Sequence, residues 1–141
     1  MADDPHHLRR FTDAQDGAFE TALAELRAGA KQSHWIWFVF PQLASLGRSP
    51  TAQYYAIRSL EEARAYLAHE LLGPRLHECT RLVARVDGRT AQQIFGWPDD
   101  MELRSSMTLF ARAADDNEDF VAVLDKFYGG EEDPETVARL T

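Results

Sequence analysis

Apolar residues along the chain recur at spacings of three and four, and each such stretch is bracketed by residues that start or stop helices. Ala18, Phe19, Ala22, Leu23 and Leu26 form one apolar face; Thr12 and Gln15 stand upstream at capping-box spacing, and Gly29 stands downstream as a left-handed stop. Ser59 and Glu62 repeat the box ahead of Leu60, Ala63, Tyr66 and Leu67. Gly73-Pro74 breaks that stretch and begins another, with Pro74 at the first helical position and Leu76, Cys79, Leu82, Val83 and Val86 facing inward. Thr90 and Gln93 form a third box for a short helix through Phe95, stopped by Gly96. Asp99 or Asp100 caps a helix that carries Met101 to Phe110, the Asp115–Asn117 cluster caps one that ends at Gly129-Gly130, and Asp133-Pro134-Glu135 opens a last short one.

One stretch departs from this pattern. His34 to Phe40 is continuously apolar and aromatic and is followed by Pro41, so it has the composition of a buried strand, although Ser33 in front of it would equally cap a short helix. With a single ambiguous strand, no glycine-rich nucleotide loop and no repeat, the pattern predicts an all-α, compact, single-domain bundle of about seven or eight short helices over residues 1–141. Residues 1–10 read as a flexible lead-in, and Pro41 to about Thr51 as a long irregular connection.

Composition narrows the function more than the fold. The chain is 45% hydrophobic and holds eight Phe, four Tyr and three Trp, ample for a core, which excludes a disordered or low-complexity protein. A lone Cys79 excludes a disulfide scaffold and points to a reducing, cytoplasmic setting. No stretch approaches the roughly 18 apolar residues of a membrane span. The net charge of −8 is concentrated after Ala114, where nine acids face two bases, so a nucleic-acid or membrane partner is not expected. Metal-ligand spacings are absent, and no metal or other cofactor is expected.

Two polar groupings carry candidate chemistry. In the first, Lys31 and His34 precede Trp35 and Trp37, with Gln42 just beyond. The run reads either as plain core or as the wall of a pocket, in which Trp35 or Trp37 stacks on a planar, nucleotide-like ligand, Lys31 and His34 handle protons, and Gln42 bonds the ligand's edge. Lys31 is one of only two lysines among the 15 basic residues, and an amine with proton-transfer work to do cannot be replaced by arginine. In the second grouping, Arg104, Ser105, Ser106 and Thr108 sit inside a helix that has to pack. Their hydroxyls either bond back to the helix carbonyls, or Ser105 or Ser106, with Arg104 and Thr108, presents donors to an anionic or polyol ligand. The function expected is therefore binding or processing of a polar small molecule, set against a structural or protein-interaction domain without catalysis.

The runs His34 to Gln42, Leu46 to Ser49, Tyr55 to Ile57, Glu62 to Leu67, Leu72 to Leu76, Ser105 to Phe110 and Phe127 to Gly130, followed by Asp133-Pro134, resemble the bacterial domain of unknown function 1810 family. The resemblance covers nearly the whole chain and implies a compact, mainly helical single domain with no established activity. Members are often labelled calpastatin. Physical grounds reject the label, since that inhibitor is a long disordered repeat protein and this chain is short, apolar and repeat-free. Members also often carry Lys at the position of Glu102, a charge reversal that argues against an anion-binding role at that position.

Overall fold

The computed structural model describes residues 3–44, 46 and 48–140, and among them it holds ten helices and no β-strand. These are α1 (Arg9–Gln15), α2 (Phe19–Ala28), α3 (Ile36–Val39), α4 (Pro50–Tyr54), α5 (Leu60–Ala68), α6 (Leu72–Ala84), α7 (Ala91–Phe95), α8 (Asp99–Ala113), α9 (Glu118–Tyr128) and α10 (Pro134–Leu140). The all-α bundle is as expected; the larger helix count comes from α1, which is separate from α2, and from the short pieces α3 and α4. The longest helix, α8, is the hub: it packs against α3, α5, α7, α9 and α10, while α6 closes the far side against α2, α5 and α9.

The helix signals have clear structural counterparts. Gly29 takes the left-handed conformation after α2, with φ +69°, and Gly129 does so after α9, with φ +63°. Thr90 and Gln93 form the complete reciprocal capping box of α7. Ser59 caps α5 by accepting from the Glu62 amide, but Glu62 does not reciprocate, because its carboxylate turns inward to Arg10. Three expectations need correction. Neither Asp99 nor Asp100 caps α8: both lie in its first turn behind Pro98, and no side chain caps the helix. Thr12 lies inside α1 and donates to the Arg9 carbonyl, so the box at Thr12–Gln15 does not form; α2 starts after the break at Asp16–Ala18. Pro74 lies within the first turn of α6 behind Leu72 and Gly73, since Gly73 must pass the Leu67 carbonyl so closely that a Cβ would stand 2.1 Å from its oxygen.

The ambiguous segment resolves as the short helix α3, and Ser33 does not cap it. Its hydroxyl instead donates to Glu25, which also accepts from the Gln32 and Ser33 amides and from the Trp35 indole N–H. Partial burial pushes the Glu25 carboxyl up, but these bonds, led by the Ser33 hydroxyl, outweigh it and hold the group down at about 2. A carboxylate on α2 therefore fixes where the aromatic run enters the core. Two aromatic groups fill that core. Phe11, Tyr66, Phe110 and Phe120 form a chain of rings with successive centroids 5.1, 5.3 and 5.9 Å apart, and Trp35, Phe40 and Phe95 form a cluster beside it.

Buried polar side chains tie the short pieces together. The Arg10 guanidinium donates to the carbonyls of His6, His7, Tyr54 and Ala56 and to Glu62 Oε2 at 2.7 Å, with both side chains of the ion pair about 5% exposed or less. Gln15 donates to the Phe38 carbonyl and to the Tyr66 hydroxyl and accepts from Arg75. The chain before α1 is held as well: the Asp4 carboxylate accepts from the Leu8 and Arg9 amides, and Leu8 is buried.

Candidate functional site

The second half of the aromatic run opens onto a cavity of about 820 Å³, twice the size of the other cavities described, which are about 370 to 420 Å³. One wall is the first half of α8, where Met101, Glu102 and Ser105 follow at helical spacing. Glu135 and Arg139, one turn apart on α10, form the second. The third comes from the irregular connection, with Gln42, Leu46 and Arg48, backed by Trp37 of α3 and Ala52 of α4. Trp97 and Pro98, ahead of α8, complete the mouth, where Trp97 is 74% exposed.

Local bonding explains why these elements hold their places. The isolated bridge between Leu43 and Ile57, in which the Ile57 amide donates to the Gln42 carbonyl at 2.8 Å, sets the direction of the connection at Gln42. Asp133 locks α10 to α8: its carboxylate accepts from the Ser105 hydroxyl, the Thr136 amide and the Thr136 hydroxyl, while its own amide donates to Thr108 Oγ1 at 2.9 Å. The hydroxyl cluster on α8 thus does its visible work within the fold. Thr108 donates back to the Arg104 carbonyl, Ser105 also reaches the Met101 carbonyl, and Ser106 Oγ is buried without a hydrogen-bond partner among the described residues.

The expected site residues divide by location. Trp37, Gln42 and Ser105 line the cavity. Lys31 lies behind the wall: its side chain is 5% exposed, its ammonium is 2.8 Å from Asp99 Oδ2 and 5.1 Å from the Trp35 ring, and it donates to the Ser33 carbonyl. Asp99 in turn lines the cavity. His34 is exposed and stacks on Trp37 with an interplanar angle of 24°, but it does not line the cavity. Trp35 is buried in the core. Arg104 turns to the opposite flank, donating to the Glu131 and Glu132 carbonyls with its guanidinium 5.9 Å from the Tyr128 ring, and Thr108 is fully buried; neither reaches the cavity. Among the described residues no group of three or more His, Cys, Asp or Glu is arranged to hold a metal ion.

The most perturbed group in the cavity is one that the sequence did not mark as a site residue and that entered only as a charge reversal within the family. Glu102 is half-buried, and among the described residues its carboxylate accepts one hydrogen bond, a long one of 3.5 Å from the Gln42 side-chain amide. Burial first, and the Asp99 charge second, push its carboxyl up to about 8, with Lys31 opposing them. It is therefore mostly protonated at neutral pH, an O–H donor beside the Gln42 amide. Trp97, Asp99, Arg48 and Arg139 were also missed. Only Trp97 carried a signal, a bulky aromatic between a helix stop and a proline.

The crystal structure of the conserved hypothetical protein Rv1873 from Mycobacterium tuberculosis matches this fold with a TM-score of 0.96 at 63% sequence identity, covering 97% of this chain and 98% of that one. A comparison with curated proteins found no match. A family described as protein of unknown function, DUF1810, matches residues 5–140. Because that match takes in almost the whole chain, as the motif resemblance implied, the protein belongs to the DUF1810 family.

Proposed function

We propose that the cavity binds a polar small molecule with a planar, nucleotide-like ring, and that Glu102 exchanges protons with it. One observation carries the reading: Trp37 and Gln42, from the aromatic run and the connection after it, line the same cavity as Trp97, Glu102 and Ser105, from a segment far along the chain. Apolar walls with a few convergent polar groups are the general form of a small-molecule site. The Trp37 and Trp97 indoles offer faces for a ring, and Gln42, Glu102 and Ser105 offer donors and acceptors for its edge. A carboxyl that titrates close to neutral pH is suited to give or take a proton. In this reading the proton-handling role passes from Lys31 and His34 to Glu102; Lys31 acts as a positioning residue through Asp99, and His34 supports the outer face of Trp37. A cytoplasmic location belongs to the same proposal and is supported by the single, buried Cys79.

A thermal-shift screen of a metabolite library tests the reading. At a hundredfold excess over its Kd a ligand stabilises by about 2.7 kcal/mol, which is readily measured. The shift should disappear in Trp37→Ala and shrink in Glu102→Gln, and persist in His69→Ala, whose ring accepts from the Leu71 and Leu72 amides away from the cavity. Equal shifts in all three variants, or no stabilising compound at all, would refute it. The exposure of Trp97 (74%) and Met101 (45%) at the mouth favours a second reading, an interaction domain without catalysis. That reading gains if the screen is empty and Trp97→Ser alters self-association by sedimentation.

A further inference from the structure

Positive charge gathers at a second place on the molecule. The ends of α2 and α6, with the chain that follows α6, enclose a cavity of about 370 Å³ that shares no residue with the larger one. We propose that this cavity is a second ligand site, independent of the first, which takes a diphosphate group on Arg27, Arg85 and Arg89. Its lining sets those three arginines against one acid, Asp87. Counted in full, Asp87 still leaves the lining positive, and its carboxylate pairs with Lys126 of α9 at 2.6 Å. No protonation state has to be assumed, since guanidinium groups stay charged across the ordinary pH range. The cluster stands out because 23 acids outnumber 15 bases in the whole chain.

The three arginines are also unspent. Arg27 and Arg85 are exposed, and among the described residues their side chains make no hydrogen bond or ion pair. The Arg89 guanidinium donates to the Gln93 carbonyl at 2.9 Å, and its stem passes the end of α2, 3.8 Å from where a Cβ on Gly29 would stand. Other arginines show the alternative fate: Arg10 is spent on carbonyls and Glu62, Arg81 on Asp119, and Arg112 on Glu132. The helix ends do not consume the cluster either. The Glu25 and Leu26 carbonyls accept from the Ala30 and Gly29 amides, those of Arg81, Leu82 and Val83 from the Arg85 and Val86 amides, and that of Ala84 from Lys126. Guanidinium forks match phosphate oxygens in pairs, and three forks offer more donors than a lone carboxylate can accept. A diphosphate supplies the oxygens and the charge in one compact group. The rest of the lining is aliphatic or glycine, so the site offers no face to a ring. Its volume suits a small anion, at the low end of the range of about 300 to 1,000 Å³ for ligand pockets.

The test is isothermal titration of the intact protein in low salt with inorganic phosphate, diphosphate, a nucleoside diphosphate, citrate and a short single-stranded oligonucleotide. Diphosphate should bind about tenfold or more tightly than phosphate. Arg27→Ala, Arg85→Ala and Arg89→Ala should each remove most of that advantage. Arg64→Ala, which changes an exposed arginine of α5 at another cavity, should keep it. All three side chains of the site are exposed, so the variants should fold, and an unchanged far-ultraviolet circular dichroism spectrum checks that they do. A nucleoside diphosphate that outbinds diphosphate, with loss in the same variants, supports the site and makes a nucleotide tail the source of the group. An equal or weaker one supports free diphosphate. Unchanged diphosphate affinity in the three variants, or loss only in Trp37→Ala, places the anion elsewhere and overturns the proposal. If those variants also melt at a lower temperature, the arginines serve the helix ends alone. Citrate bound as tightly as diphosphate overturns the phosphate class, and an oligonucleotide bound more tightly than either overturns the small ligand. No binding by any of the five probes overturns the site itself.

Discussion

Glu102→Gln tests the electrostatics of the cavity without needing a ligand. In the folded chain the carboxyl titrates at about 8, against 4.5 when unperturbed. Its proton is thus held more tightly in the folded state. Below the lower value both states are protonated and the group contributes no penalty; as pH rises between the two, the unfolded state releases its proton first and stability falls, until above 8 the penalty is complete. With about 1.4 kcal/mol for each tenfold difference in proton affinity, the gap caps the loss at about 5 kcal/mol. Because Glu102 keeps some solvent contact, a loss of about 2 to 4 kcal/mol is expected between pH 5 and pH 9. Glutamine keeps the shape and cannot ionise, so urea denaturation of both proteins at each pH isolates the effect as a difference, and groups common to both cancel. Stability curves that run parallel within about 0.5 kcal/mol from pH 5 to 9 would refute a protonated Glu102. Lys31→Met, which removes the opposing positive charge, should move the wild-type step to higher pH.

Three further outcomes test the framework around the site. Arg10→Met removes five hydrogen bonds and strands the buried Glu62 carboxylate, so the urea midpoint should fall by the equivalent of about 3 to 5 kcal/mol; adding Glu62→Gln should cost much less than its single effect. Gly73→Ala drives a Cβ to 2.1 Å from the Leu67 carbonyl oxygen, and the shift of α6 against α5 should lower stability by about 3 kcal/mol, read by calorimetry. Burial pushes the Cys79 thiol up to about 12, so an aromatic disulfide reagent should label it only at the rate of unfolding, and prompt labelling of the native protein would contradict its packing.

The legible parts of the fold share a cause: each was written in residues that act on their immediate neighbours. Gly29, Ser59, Thr90 and Gly129 stop or start helices through bonds that span three or four residues, and the structure uses them in that way. The misread parts depend on partners far along the chain. Gln15 looked like the reciprocal member of a capping box, but it turns to the Phe38 carbonyl and Arg75, 23 and 60 residues away. Ser33 looked like a cap for α3, but Glu25 claims it. A short polar side chain next to a helix start has a local option and a tertiary one, and burial decides between them, because a buried donor left without a partner costs more than a cap contributes.

The same distinction explains how much of the site was readable. The aromatic density around Trp37 marked the region, because large rings in one run must line either core or cavity, and here they do both: Trp35 enters the core and Trp37 faces out. The hydroxyl cluster on α8 was marked for composition alone, which carries no direction. Successive helical residues point about 100° apart, so Ser105 reaches the cavity while its neighbour Arg104 serves the opposite flank. Glu102 had no such mark: one acid among several at a helix start looks like solvated surface. Its character arises only in the fold, where the segments packed around it bury it and set the Asp99 charge beside it, against the opposition of Lys31. Desolvation then converts an ordinary carboxylate into a group that keeps its proton at neutral pH, and no local pattern encodes desolvation. The candidate chemistry of this fold therefore follows from three segments meeting, the connection at Gln42, the stretch before α3 at Lys31 and the start of α8 at Asp99 and Glu102, and a change at Lys31 or Asp99 should alter the proton affinity of the cavity while leaving the helices as they are.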